Sequence, residues 1–132
     1  VELFERPQHT FVGHFIGSPG MNILPCSVDD GAAVFAGRPL PVANSEGVAP
    51  EGRRMELGVR PEFVRFDDGG FDVEIVRIDD LGRYQLVVAK RDQNTIKLIL
   101  REGERVPAEN PRISFDPGHT WLYADGWAAA SN

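Results

Sequence analysis

Cysteine, histidine and positive charge are all scarce in this 132-residue sequence, and each shortage closes off a class of function. The one cysteine, Cys26, excludes an internal disulfide, and a reducing cytosol is the simplest setting for such usage. Three histidines are present, His9, His14 and His119. On a helix, His9 and His14 would diverge by about 140° and could not clamp one ion as a pair four apart does. With one cysteine and no Cys-x-x-Cys, neither zinc nor another metal is expected. Lys and Arg number 14 against 20 Asp and Glu, a net charge of −6. Nucleic-acid binding needs a basic footprint, so no nucleic-acid partner is expected. No apolar run approaches the ~18 residues of a membrane-spanning helix. No charged-then-apolar leader opens the chain, which starts abruptly at Val1 without Met, as a piece of something longer would. Nucleotide-cradling motifs are missing too. Gly17-Ser18-Pro19-Gly20 follows a helical segment rather than opening one, so it offers an anion no helix N-terminus.

Turn residues, by contrast, abound. With 14 glycines and 10 prolines, about 18% of the chain, against a typical ~12%, punctuates an otherwise ordinary 42% apolar composition. Glu2 to Ile16 reads as a short helix, with Phe11, Phe15 and Ile16 on one face and Gly17 to Gly20 as its stop. Thereafter the pattern is of short strands. Ile23 to Val28 and Ala32 to Ala36 flank an Asp29-Asp30-Gly31 turn. Leu40 to Val42 is confined to an edge by its prolines, and Ala43 to Arg54 reads as loop. Met55, Leu57 and Val59 alternate with Glu56, Gly58 and Arg60, the pattern of a half-buried strand halted by Pro61. Phe71 to Val76, Tyr84 to Ala89, Thr95 to Leu100, Ile113 to Phe115 and Trp121 to Tyr123 complete the series, with a turn at Lys90 to Asn94. Many short strands and little helix predict an all-β fold, a small antiparallel barrel or sandwich.

Few residues offer chemistry. The acidic pairs Asp29/Asp30, Asp67/Asp68 and Asp79/Asp80 lack the Asp-x-Asp-x-Asp-Gly spacing of a calcium loop and read as turns. Val64 to Asp68 echoes Val76 to Asp80, each followed by a glycine (Gly69, Gly82), as two strands ending in similar acidic turns would. Cys26 lies in an apolar strand, where a lone thiol behaves as a small hydrophobe rather than a nucleophile. Arginines are scattered among acids, a solvated mixed surface. Phe63, Phe66, Phe71, Phe115, Trp121 and Tyr123 are assigned to core or interface.

Three segments carry a family likeness. They are Glu2 to Pro7 continuing into Phe15-Ile16-Gly17-Ser18-Pro19-Gly20-Met21-Asn22; Leu57-Gly58-Val59-Arg60-Pro61-Glu62; and Asp80-Leu81-Gly82 with a closing Phe115-Asp116-Pro117 and Leu122-Tyr123-Ala124-Asp125-Gly126. In this order they resemble the C-terminal regulatory region of ATP-binding subunits of bacterial carbohydrate importers, the maltose and glycerol-3-phosphate systems among them. The resemblance implies an OB-like barrel of the transport-associated (MOP-like) type, built from strands before and after a central excursion. It implies three parts: helix and linker over 1–22 after a nucleotide-binding domain, the barrel over 23–127, and a frayed end over 128–132. ATP and magnesium would belong to that preceding domain, leaving this region without cofactor or catalytic residue. The implied partners are a twin copy in a homodimer, the nucleotide-binding domain, the membrane permease subunits and a regulatory protein, all at the cytoplasmic face of the membrane.

Residue by residue, Gly17, Ser18, Pro19, Met21 and Asn22 match the family's linker into the barrel. Their own chemistry agrees: Gly17 ends a helix, Pro19 fixes a turn and Asn22 caps backbone groups. Arg60, Pro61 and Glu62 match the second motif; turn chemistry accounts for Pro61, and Arg60 and Glu62 suit a charged contact across the domain or dimer. Gly82 joins them as a regulatory or dimer-contact candidate. Cys26 to Arg54 matches no motif, and Asp79 to Tyr84 departs from the maltose type toward the glycerol-3-phosphate or polyol type. Two alternatives stand beside this reading: a barrel binding a small oxyanion or solute, and an OB module for nucleic acid.

Overall fold

The computed structural model describes residues 20–29, 32–43, 54–124 and the backbone of 127–128. The helix expected over Glu2 to Ile16 lies outside them. Every paired strand is antiparallel, so the all-β expectation holds. The chain divides into two compact units, residues 1–60 with 117–132, and Pro61–Asp116.

In the first unit, β1 (Asn22–Pro25), β5 (Met55–Val59), β11 (Thr120–Ala124) and β12 (Trp127–Ala128) form one sheet. The strands β2 (Ser27–Asp29), β3 (Ala32–Phe35) and β4 (Arg38–Leu40) form a second. β5 is central, with β1 on one side and β11 on the other. The register aligns Leu24, Leu57 and Leu122 in one row across three strands. All three are buried, and each such side chain contributes roughly 2 kcal/mol of hydrophobic stabilisation. The expected first strand is two: β1 stops at Pro25, which cannot donate to a ladder, and Cys26 N–H donates to the Met55 carbonyl at 3.0 Å. The hairpin to Ala32 forms, with Asp29 opposite Ala32. The edge strand begins at Arg38 and places Pro39 opposite Val34.

The alternation across β5 suggests one wet face, and here the structure differs. Gly58 and Arg60 are buried along with Met55, Leu57 and Val59. A central strand is covered laterally by its neighbours, and the face carrying Gly58 is covered in turn by Met21 and Tyr123.

The second unit holds a short 3₁₀ turn (Pro61–Phe63), β6 (Val64–Asp72), β7 (Glu74–Asp80), β8 (Gln85–Arg91), β9 (Asn94–Leu100) and β10 (Arg112–Phe115). β6 pairs with β10, and β7, β8 and β9 make a three-stranded sheet. β8 is the middle strand, and Leu86 through Ala89 are buried without alternation, as a strand covered on both faces requires. On β9, Ile96, Leu98 and Leu100 are buried at every second position. The β8–β9 connection is tighter than expected: Arg91 pairs with Asn94, and Asp92 takes a left-handed φ of 53°.

β6 does not end at its acidic pair. It continues to Asp72 through an irregularity, because Ile113 faces Phe66 while its neighbour Arg112 faces Asp72. Asp67 organises the extra residues. One of its carboxylate oxygens accepts from the Gly69 N–H and the other from the Ser114 hydroxyl, both at 2.9 Å. Gly70 passes so close to the Ile113 carbonyl that a β-carbon would collide with it. At the end of β7, Asp80 accepts from the Gly82 N–H at 2.9 Å. The two echoing segments thus share an Asp-to-Gly bond, one inside a strand and one at its end.

Candidate functional site

The residues singled out in the sequence fall at two places. In the first unit, Met21 and Asn22 lead into β1, and Asn22 pairs with Val59, the last residue of β5 before Arg60. The linker motif and the Leu-Gly-Val-Arg-Pro-Glu motif therefore meet at one end of one sheet. Thr120 of β11 sits opposite Val59 on the other side. Asn22, Arg60 and Thr120 are the buried polar or charged residues among those described. Gly17, Ser18 and Pro19 lie outside the described residues.

Met21 is the hinge of this meeting. Its side chain is buried and packs over Gly58, where a β-carbon would stand 3.0 Å from both its sulfur and its methyl group. The same β-carbon would stand 2.5 Å from the Tyr123 ring, and the Tyr123 hydroxyl donates to the Met21 sulfur at 3.9 Å. One residue from each of the three likeness-bearing segments thus fills a single pocket of packing. Gly58 and Tyr123 were not among the candidate residues. A glycine amid β5's apolar residues was the signal, since glycine in a strand marks a close approach.

Nearby, burial pushes the Cys26 thiol up to about 12, and the negative charge of Glu56 adds to that. The shift disfavours a nucleophilic role, because the thiolate is the reactive species.

Pro61 and Glu62 begin the second unit, Pro61 buried and Glu62 half-buried. Glu62 lines a cavity of about 460 Å³ with Arg65, Arg101, Glu104 and Arg105 over a floor that includes Phe66 and Leu98. Arg65 lies 3.8 Å from Asp116, and the Arg101 N–H donates to Glu104 at 2.6 Å. Gly82 lines an adjoining cleft of about 380 Å³ that shares Arg101 and Glu104. Its φ of +94° is left-handed, which explains the glycine without a ligand. Among the described residues, no group of three or more His, Cys, Asp or Glu is placed to hold a metal ion.

Residues 17–64 match the family described as the MalK OB fold domain. Over those residues the chain resembles the MalK-type OB fold. Its relatives include sn-glycerol-3-phosphate import ATP-binding proteins UgpC. That of Cereibacter sphaeroides is 35% identical over 126 residues, 92% of this chain and 34% of the relative. That of Bordetella avium is 39% identical over 98 residues, 73% of this chain and 27% of the relative. That of Paraburkholderia xenovorans is 48% identical over 70 residues, 48% of this chain and 19% of the relative. The chain spans about a third or less of the relatives it matches. The family match takes in Met21, Gly58, Arg60 and Pro61, and so covers the meeting of the first two motifs.

Proposed function

We propose that this OB-fold chain is the regulatory, dimer-stabilising part of the ATP-binding subunit of an importer for glycerol-3-phosphate, polyols or sugars, and is not catalytic itself. The single observation that carries the reading is the packing of Met21, Gly58 and Tyr123, set in a chain similar to importer ATP-binding proteins. The linker is thereby anchored into the sheet, as a domain that transmits force to a neighbour requires. ATP and magnesium belong to a preceding nucleotide-binding domain. The twin copy, the permease subunits and a regulatory protein are the partners, at the cytoplasmic face of the membrane. A partner that prefers one arrangement of the dimer shifts the transport cycle by its differential affinity.

The test is direct. The natural coding sequence preceding Val1 should encode a phosphate-loop ATPase, and deleting residues 20–128 should leave ATP binding intact while weakening the dimer in sedimentation. A preceding sequence without a phosphate loop overturns the reading.

A second reading, a small-anion sensor, is favoured by the cavity that gathers Arg65, Arg101 and Arg105 against Glu62 and Glu104. Calorimetry with molybdate, sulfate and glycerol-3-phosphate decides it: saturable binding lost in Arg101→Ala supports a sensor, and no heat removes it.

A further inference from the structure

β7 has β8 on one side and, among the described residues, no strand on the other. Val76, Ile78 and Leu81, the exposed large apolar residues of the described chain, all lie on β7 or one residue beyond it, at 54%, 44% and 49% exposure. Exposed edges are usually blunted by bulges and charge. β7 has a bulge between Ile75 and Arg77, but from Arg77 to Asp80 its register with β8 is unbroken. Charge of both signs also lies along it, at Glu74, Arg77, Asp79 and Asp80, so only a strand whose charges and apolar residues fall opposite suitable partners can pair with this open edge.

We propose that β7 of one copy pairs antiparallel with β7 of a second copy, about a two-fold axis through Ile78. The proposal rests on the dimer reading above and specifies its contact. Symmetry selects the register. A two-fold axis perpendicular to an antiparallel pair places one residue opposite its own copy, because opposed side chains must share a face. In the regular segment the choices are Arg77, Ile78, Asp79 and Asp80. Three of them set like charges in direct opposition, which is destabilising. Ile78 sets apolar against apolar and faces Arg77 with the partner's Asp79 twice. Arg77 already reaches Asp79 of its own strand, Nε to Oδ2 at 3.1 Å, so both side chains lie on the face this pairing uses. The result is a continuous six-stranded sheet. The ladder is far smaller than a standard interface of about 1,600 Å². It therefore acts between copies already held together, where effective concentrations reach the millimolar range.

Cysteine cross-linking in the natural polypeptide tests this. Ile78→Cys places a thiol on the axis, facing its own copy, whereas Arg83→Cys sits five residues away and far from its counterpart. Mild oxidation should join Ile78→Cys into a covalent dimer at least about tenfold faster than Arg83→Cys or the unsubstituted protein. Adding Arg77→Asp to Ile78→Cys should slow the reaction severalfold, and adding Asp79→Arg as well should restore it, because the pairs are again opposite in sign. Circular dichroism checks that each variant is folded. A sedimenting dimer in which Ile78→Cys reacts no faster than Arg83→Cys overturns the β7 pairing and leaves the dimer reading standing. A monomer at every concentration overturns both.

Discussion

The hydroxyl of Tyr123 donates to the sulfur of Met21, 3.9 Å away, beside the one position of β5 that has no side chain. Met21 lies just before the first strand of its sheet and Tyr123 in the last complete one, so this contact closes the unit on itself. Gly58 makes room for it.

Gly58→Ala should therefore destabilise the chain well beyond its single added methyl. The new carbon meets the Tyr123 ring and Met21 at once, and overpacking of this kind costs about 1–3 kcal/mol. Urea unfolding checks the value, and an unchanged midpoint would refute the packing.

Met21→Ala removes the buried thioether from the other side of the same contact. The cost expected for emptying such a site is roughly 2–5 kcal/mol. Thermal denaturation should show the loss as a lowered midpoint.

Cys26 should resist alkylation at pH 8 in the folded chain and react freely in denaturant. Its folded value, raised to about 12 by burial and then by Glu56, stands above the unfolded one. The stability this brings is complete below the ordinary thiol range and is lost as pH rises toward 12, because only the unfolded thiol ionises in between. Denaturation midpoints at pH 8 and pH 10.5 test the sign, and Cys26→Ser should flatten the difference.

Asp67 is held below the usual carboxylate range, first by the Gly69 N–H, then by the Ser114 hydroxyl and, most weakly, by Arg65. Its contribution is present above the ordinary aspartate value of about 4 and disappears as pH falls through the depressed folded one. Ser114→Ala should raise its titration midpoint in a carboxyl NMR titration, and Asp67→Asn should remove that acid-dependent step.

Gly82→Ala should cost about 1 kcal/mol from its left-handed backbone alone, because no atom lies within 4 Å of where its β-carbon would point. A larger loss, measured by denaturant unfolding, would mean that Gly82 does more than permit a turn.

Strand periodicity located β3, β5, β8, β9, β10 and β11 to within a few residues, because alternation and turn residues are local signals. It did not reveal what lies over a strand's second face. Gly58 and Arg60 read as solvent-facing by alternation, yet both are buried, since the covering residues come from far along the chain. The continuation of β6 past Asp67 was equally illegible: Asp-Asp-Gly-Gly has the composition of a turn, and only pairing with Ile113 keeps it in a strand. The family motifs pointed at Met21 but not at why it is there; its packing over Gly58 and against Tyr123 supplies that reason.

The second unit begins at Pro61 and ends at Asp116, and the Asp116 N–H donates to the Phe63 carbonyl at 2.9 Å. Its two ends are thus drawn together at a neck. A segment with joined ends presents its host with little more than a short loop, and loop closure depends only weakly on how much chain lies beyond. The excursion is in that sense a cassette: its length can change at little cost to the pairing of β5 with β11.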